Sequence, residues 1–344
     1  SLGPGWEERM KAVQVVGPSQ LDVVELPDPE PGPAALVRVT RAGVCGTDVK
    51  VFKGQIAGPH PLVMGHEMVG TVVEPGHRQL VAAGTRVMID PATTCGYCDL
   101  CRRGRGNLCR NGGLLGRDTD GVFSELVAVP EEKLHVIPGG VSDTAASLLQ
   151  VLGTCVHAQR LVSVFPTDTV VVLGLGVSGL LHIQLLAARG IARLIGVTRS
   201  AWKLELAESF GAAVTATPEA AEEVVAEFSE GRGADLVVEA AGTEATLAQA
   251  ITLAGAGGEV VVFGTLTGGN QGLPYYQLYH KELTVYHPRA ALPDDYDAGI
   301  AMAATGSLRL DDLVTHRFAV EDAAGAFEAV EDTGSLKVVI DFTA

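Results

Sequence analysis

Four of the six cysteines fall within fifteen residues: Cys95, Cys98, Cys101 and Cys109, in DPATTCGYCDLCRRGRGNLCRNGG, residues 90–113. Thiolates are soft ligands, and four of them on one short loop suit a closed tetrahedral zinc site. Such a site has no open position for a substrate, so it shapes the loop and does no chemistry. An iron–sulfur cluster is the chemical rival. Two disulfides would need an oxidising compartment. Upstream, AGVCGTDVKVFKG carries Cys45, Thr47, Asp48 and Lys50, and PLVMGHEMVG carries His66 and Glu67. A cysteine, a histidine and a carboxylate form the mixed set of a zinc that keeps one position open for water or substrate. Taken singly, Cys45 reads equally as a small core residue and His66 as a hydrogen-bonded core histidine.

A third pattern concerns phosphate. Gly174, Gly176 and Gly179, with Val177 and Ser178 between, follow the apolar run TVVVL and open the apolar helix text VSGLLHIQLLAARG. In that setting Gly174 permits the tight turn. Gly176 lets the backbone approach a pyrophosphate, and Gly179 lets helix and strand pack closely. An NAD site usually has Asp or Glu at the end of the next strand. Here LIGVT runs into Thr198, Arg199 and Ser200; Lys203 follows, and the first carboxylate is Glu205, well into a helix. A guanidinium can grip a 2′-phosphate or stack on adenine, so NADP is expected rather than NAD. This dinucleotide pattern beside the cysteine lobe favours zinc over an iron–sulfur cluster.

These residues need elements to position them. Residues 11–140 read as short strands with Gly and Pro punctuation: KAVQVV, LDVVEL, ALVRVTRAG, MVGTVVE, GTRVMID and FSELVAVP. No long helical period is visible there. Near Asp143 the texture changes, and SDTAASLLQVLGTCVHAQRL reads as one helix capped by Ser142 or Asp143. From 168 strand and helix text alternate, the signature of a doubly wound parallel sheet. The helix text DDYDAGIAMAATG, then LVTHRFAV, EDAAGAFEAVEDTG and LKVVIDF close the chain.

Length and composition set bounds. A chain of 344 residues predicts two domains, and 47% hydrophobic residues with mean hydropathy +0.25 predict large buried cores. A formal net charge of −16 and pI near 4.9 argue against nucleic acid or an anionic membrane as partner. The most apolar stretch, 170–188, is interrupted by His182 and Gln184, so no transmembrane span is expected. Residues 1–9 read as an extension without the features of a secretory leader, and a cytoplasmic location follows as the expectation.

Jointly, GVCGTDVK, GHEMVG, the four-cysteine lobe, GLGVSG and FAVEDAAGAFE resemble the zinc-dependent medium-chain dehydrogenases, the alcohol, sorbitol and threonine dehydrogenase group. The resemblance covers residues 11–344. It implies a GroES-like, β-rich catalytic domain, 10–150 and 291–344, with a Rossmann domain, 151–290, inserted and the active site in the cleft. It implies one structural zinc on the lobe and one catalytic zinc on Cys45 and His66, with Glu67 in or next to the ligand shell. Thr47 matches the hydroxyl that links substrate oxygen to solvent, and Asp48 matches the acid that orients the ligand histidine. Thr154 matches a residue packed on the nicotinamide; Ala241, Gly264 and Lys337 are also assigned to the cofactor.

Two positions depart from the family. Gln150 stands where relatives carry a Cys or Glu ligand, and a neutral amide is a poor one; neighbouring Cys155 should point elsewhere. Lys50 replaces the histidine that finishes a proton relay, and its ordinary pKa is too high for easy shuttling at neutrality. The activity implied is NADP-linked oxidation of a secondary alcohol to a ketone: a polyol, amino sugar or cyclitol. His287 and Arg289 fall near the expected cleft. A zinc-free enone or quinone reductase and a non-catalytic NADP sensor are the alternatives. Edge-to-edge pairing of Rossmann sheets implies a homodimer or homotetramer.

Overall fold

Alternating apolar residues in KAVQVV and LDVVEL fold back as an antiparallel hairpin, β1 (Arg9–Gly17) and β2 (Gln20–Pro27). This computed structural model describes residues 9–30, 32–266 and 272–343. Residues 1–8 of the extension lie outside the described residues. Two compact units emerge: the described residues up to Gly153 with Ala291–Gly306 and those from Leu310 on, and Thr154–Ala290 with Ser307–Arg309.

The first unit is built around β3 (Ala35–Val44), whose buried Ala35, Val37 and Val39 alternate with Leu36, Arg38 and Thr40. The strand runs into α1 (Gly46–Phe52), with Cys45 between them. Then come β4 (Leu62–Val63), β5 (Met68–Glu74) and β6 (Arg86–Ile89). The lobe contributes β7 (Ala92–Thr93), α2 (Asp99–Arg102) and β8 (Gly113–Leu114). Next are β9 (Leu126–Val129) and β10 (Leu134–Val136). Helix α1 is only seven residues long, too short to show a period in the text, which is why the reading of 11–140 passes over it. The single helix expected over 142–161 is in fact two, α3 (Asp143–Ala146) and α4 (Leu149–Arg160), because the ladder is interrupted at Ser147 and Leu148. Ser142 is the N-cap: its Oγ accepts from the Ala145 N–H at 2.9 Å.

The second unit alternates strand and helix. It runs β11 (Thr169–Leu173), α5 (Val177–Ala188), β12 (Arg193–Val197), α6 (Ala201–Ser209), β13 (Val214–Ala216), α7 (Ala221–Phe228), β14 (Ala234–Glu239), α8 (Glu244–Leu253), β15 (Ala254–Val262), α9 (Tyr275–His280) and β16 (Thr284–Tyr286). Among the described residues the six strands are all parallel, in the order β13-β12-β11-β14-β15-β16. All five residues of β11 are buried, as a central parallel strand requires. β13 and α7 had no clear signal: three residues are too few for a strand period, and Glu222, Glu223 and Glu227 obscure the apolar face.

The chain then returns to the first unit through α10 (Pro293–Ala304), β17 (Val314–Ala319), α11 (Ala323–Ala329) and β18 (Lys337–Asp341). β18 pairs antiparallel with β3, Val338 opposite Val44, which sets Lys337 beside the β3–α1 junction.

Candidate active site and metal centres

At that junction the chain assembles the mixed ligand set. One donor atom each from Cys45, His66 and Glu67 lie within 4.8 Å of one another, His66 and Glu67 being buried. Cys45 is the N-cap of α1, and His66 and Glu67 precede β5. Asp48, 1% exposed, braces two of the three. Its Oδ1 is 3.1 Å from His66 Nδ1, and its Oδ2 accepts from the Cys45 N–H at 2.8 Å. A carboxylate on Nδ1 leaves Nε2 as the ligand nitrogen. Burial works to lower the His66 pKa, but the charge and hydrogen bond of Asp48, with Cys45, hold it well above the ordinary value. One soft, one intermediate and one hard donor around a common point fit a zinc with an open position.

Glu67 meets a second charge. Lys337, assigned by resemblance to the cofactor, is buried in this unit; its ammonium pairs with Glu67 Oε2 and donates to the Val44 carbonyl at 3.3 Å. Burial opposes its charge, yet Glu67 and Cys45 raise its pKa. Gly43 makes room for the pair: a Cβ there would lie 2.5 Å from Lys337 Cε and 2.6 Å from Glu67 Oε2. Sequence reasoning overlooked Gly43, whose importance is visible only from this contact. Thr47 and Lys50 lie on α1, each half-buried. Gln150 is buried on α4. Cys155, in the second unit, faces the Ser178 carbonyl at 3.8 Å, and burial pushes its thiol far up.

In the lobe Cys95, Cys98, Cys101 and Cys109 also bring their sulfurs within 4.8 Å of one another, as free thiols. Backbone N–H groups point at these sulfurs: Cys95 N–H to Cys109 Sγ at 3.2 Å, and Cys101 N–H to Cys98 Sγ at 3.5 Å. The N–H of Arg110, then that of Cys101, bring the Cys98 thiol down to about 6. Four converging, N–H-supported sulfurs fit a tetrahedral zinc with no open position.

The glycine turn stands in the second unit between β11 and α5. Gly174 has φ 90°, and a Cβ on it would strike the Ala241 N at 2.8 Å. A Cβ on Gly179 would come within 1.9 Å of the Gly174 carbonyl oxygen. Among the described residues nothing lies within 4 Å of that position on Gly176, the N-cap of α5. The helix N-terminus, with Val177 and Ser178, therefore opens onto free space of the kind a pyrophosphate would fill. At the end of β12 Thr198, Arg199 and Ser200 are accessible, and Ser200 is the N-cap of α6. Arg199 lies near Glu219, and Lys203 Nζ sits 5.1 Å from the Trp202 ring centroid. Ala241 and Gly264 follow the ends of β14 and β15, while Thr154 lies on α4. His287 and Arg289 are both exposed.

The chain matches two family models: the alcohol dehydrogenase GroES-like domain over residues 31–139, and zinc-binding dehydrogenase over 178–305. It is 30% identical over 342 residues to D-arabitol-phosphate dehydrogenase of Enterococcus avium, covering 96% of this chain and 97% of that one. It is 29% identical over 330 residues to sorbitol dehydrogenase of Halalkalibacterium halodurans, covering 94% and 96%. A zinc-binding dehydrogenase of Sinorhizobium meliloti 1021, solved bound to NADP, superposes with a TM-score of 0.91 at 33% identity, covering 97% of this chain and 99% of that one. The chain belongs to the zinc-binding medium-chain dehydrogenases, oxidoreductases that act on alcohols with a nicotinamide cofactor.

Proposed function

We propose that this chain interconverts a polyol-type secondary alcohol and its ketone with NADP(H), using a zinc held by Cys45, His66 and Glu67. The observation that carries the reading is the convergence of those three donors with Asp48 behind two of them. When bound, the zinc supplies Lewis-acid polarisation of the substrate oxygen and the nicotinamide supplies the hydride acceptor. Asp48 holds His66 in the tautomer that presents Nε2. Thr47, two residues beyond Cys45, takes the alcohol proton through its hydroxyl and passes it toward solvent. Lys50, one turn further along α1, donates to that exit and is not itself the shuttle. Lys337 offsets the charge of Glu67, so the ligand set carries less net negative charge than its three donors suggest.

Gly174, Gly176 and Gly179 seat the pyrophosphate on the N-terminus of α5. Arg199, with Thr198, Ser200 and Lys203, takes the 2′-phosphate. The absence of a carboxylate at 198–200 supports NADP, as does the NADP-bound relative. The polyol class follows from the sorbitol and arabitol-phosphate relatives. Cysteines 95, 98, 101 and 109 hold a second, structural zinc. The open edge of β16 supports pairing with a second copy of this chain.

The test is zinc per chain in the purified protein, with NADPH and NADH titrated on the same sample and a polyol panel assayed with each cofactor. Two zincs, tighter NADPH than NADH and polyol turnover are expected. A single zinc sinks the three-donor site, and equal affinity for NADH sinks the reading of Arg199.

A further inference from the structure

Glu239 ends β14, between Leu173 of β11 and Val262 of β15. It is 0% exposed, and no ion pair reaches it among the described residues. Its Oε1 accepts three hydrogen bonds: from the N–H of Ala241 at 2.9 Å, the N–H of Gly242 at 2.7 Å and the hydroxyl of Thr246 at 2.7 Å. Its backbone carbonyl accepts two more, from Phe263 N–H at 2.8 Å and Gly264 N–H at 3.0 Å. The other carboxylate oxygen, Oε2, has no hydrogen-bond partner among the described residues.

The segments that Glu239 joins meet at backbone contact. A Cβ on Gly174 would lie 2.8 Å from the Ala241 N, and one on Gly264 would lie 2.3 Å from the Gly242 N and 2.8 Å from Glu239 Oε2. The carboxylate thus holds the Ala241–Gly242 turn, the Glu239 backbone carbonyl holds the segment after β15, and the phosphate-binding turn packs on the first of these. A buried carboxylate is costly unless it makes strong bonds, so a fold in need of packing alone would be better served by an apolar residue. What the carboxylate supplies, and an apolar residue does not, is a fixed position for two successive backbone N–H groups. The strand ends that pack on this turn form the surface that the resemblance assigns to the cofactor through Gly174, Ala241 and Gly264.

We propose that Glu239 is a positioning residue for the nicotinamide cofactor, holding the Ala241–Gly242 turn in the place that cofactor binding requires. The proposal rests on the nicotinamide site lying at these strand ends. Glu239→Gln keeps one accepting oxygen but loses the charge and puts an amide N–H₂ in a pocket already rich in donors. Thr246→Val removes at constant shape the hydroxyl that donates to Glu239 and also caps α8 through Thr243, and Thr246→Ser restores both, so cofactor affinity is read separately from melting temperature.

The experiment titrates NADPH and NADH against the full-length protein and its variants, with melting temperature and alcohol kinetics on the same samples. Losing a charge-assisted buried bond is expected to weaken cofactor binding about tenfold in Glu239→Gln. A smaller loss, about threefold, is expected in Thr246→Val, with recovery in Thr246→Ser. The KM for the alcohol at saturating cofactor should move by less than about twofold, since the residues proposed to hold the zinc for the alcohol, Cys45, His66 and Glu67, are not changed. Should Glu239→Gln fail to fold, the Val and Ser pair at 246 decides. Lower melting temperatures with unchanged cofactor affinity in both Glu239→Gln and Thr246→Val would overturn the proposal and leave Glu239 a folding residue. A native protein that binds neither cofactor would refute the underlying cofactor reading instead.

Discussion

Asp48 acts on two ligands at once, through one oxygen on His66 and the other on the Cys45 N–H. Asn has one acceptor where Asp has two, so Asp48→Asn must turn an N–H₂ toward one of these groups. Loss of such a supporting carboxylate typically costs about 10- to 100-fold in metal affinity. Competition with a chelator should show that loss at one zinc per chain while the lobe zinc stays bound. Position 150 makes the opposite prediction. Gln150→Glu adds an anionic donor, and the catalytic zinc should then be retained roughly tenfold longer against the same chelator. Unchanged retention would place residue 150 outside the metal's surroundings. Lys337 shows how a position matched by family pattern acquires its partner only in three dimensions: Glu67 is 270 residues away in sequence and in contact in the fold.

Among the elements, α5 combines two demands. On the proposed reading its first turn stays open for phosphate, and its middle, Gly179 to Leu186, is buried throughout. Burial of the whole girth leaves no polar face, which is why hydrophobic text rather than a 3.6-residue period marks it. The cost falls on His182, fully buried with Nδ1 3.1 Å from Gln159 Nε2 and its ring edge-on to Phe263. Burial lowers its pKa to about 3. The unfolded chain, with the ordinary value near 6.5, takes up that proton first. Stability is therefore lost as pH falls from about 6.5 toward 3, at up to about 1.4 kcal/mol per pH unit. His182→Asn keeps an acceptor near Nδ1 and cannot titrate. Denaturant melts stepped from pH 7 to about pH 4.5 should show a shallower decline than in the native chain; parallel slopes would mean that other groups govern acid stability.

On the scale of the whole molecule, a formal charge of −16 disfavours polyanions as partners, while a local basic group can still receive a phosphate. No helix of the described residues is long and apolar enough to cross a membrane. The four-cysteine lobe is small, with a four-residue helix and a two-residue strand pair, so its shape depends on whatever its sulfurs bind. Cys98→Ser should bring zinc to one per chain by elemental analysis. It should also lower the melting temperature by several degrees, since a lost structural ligand is a destabilisation of roughly 2 kcal/mol or more. Retention of two zincs would refute the four-thiolate site.

By itself the sequence determined the doubly wound text, the cysteine spacing, the glycine turn and the Cys45, His66 and Glu67 candidates. The first three depend on local periodicity or on residue types within a few positions of one another, and the last on two short motifs joined by the chemistry of their ligands and by family resemblance. Tertiary structure alone decided which distant groups meet. It placed Lys337 on Glu67, made Gly43 the space for that pair, and turned Glu239 into an acceptor shared by the Ala241–Gly242 turn, Thr246 of α8 and the segment after β15. It also split the helix at Ser147 and Leu148 and added β13 and α7. The physical reason is the same in each case: strand register and side-chain packing bring together residues whose separation along the chain carries no signal of contact.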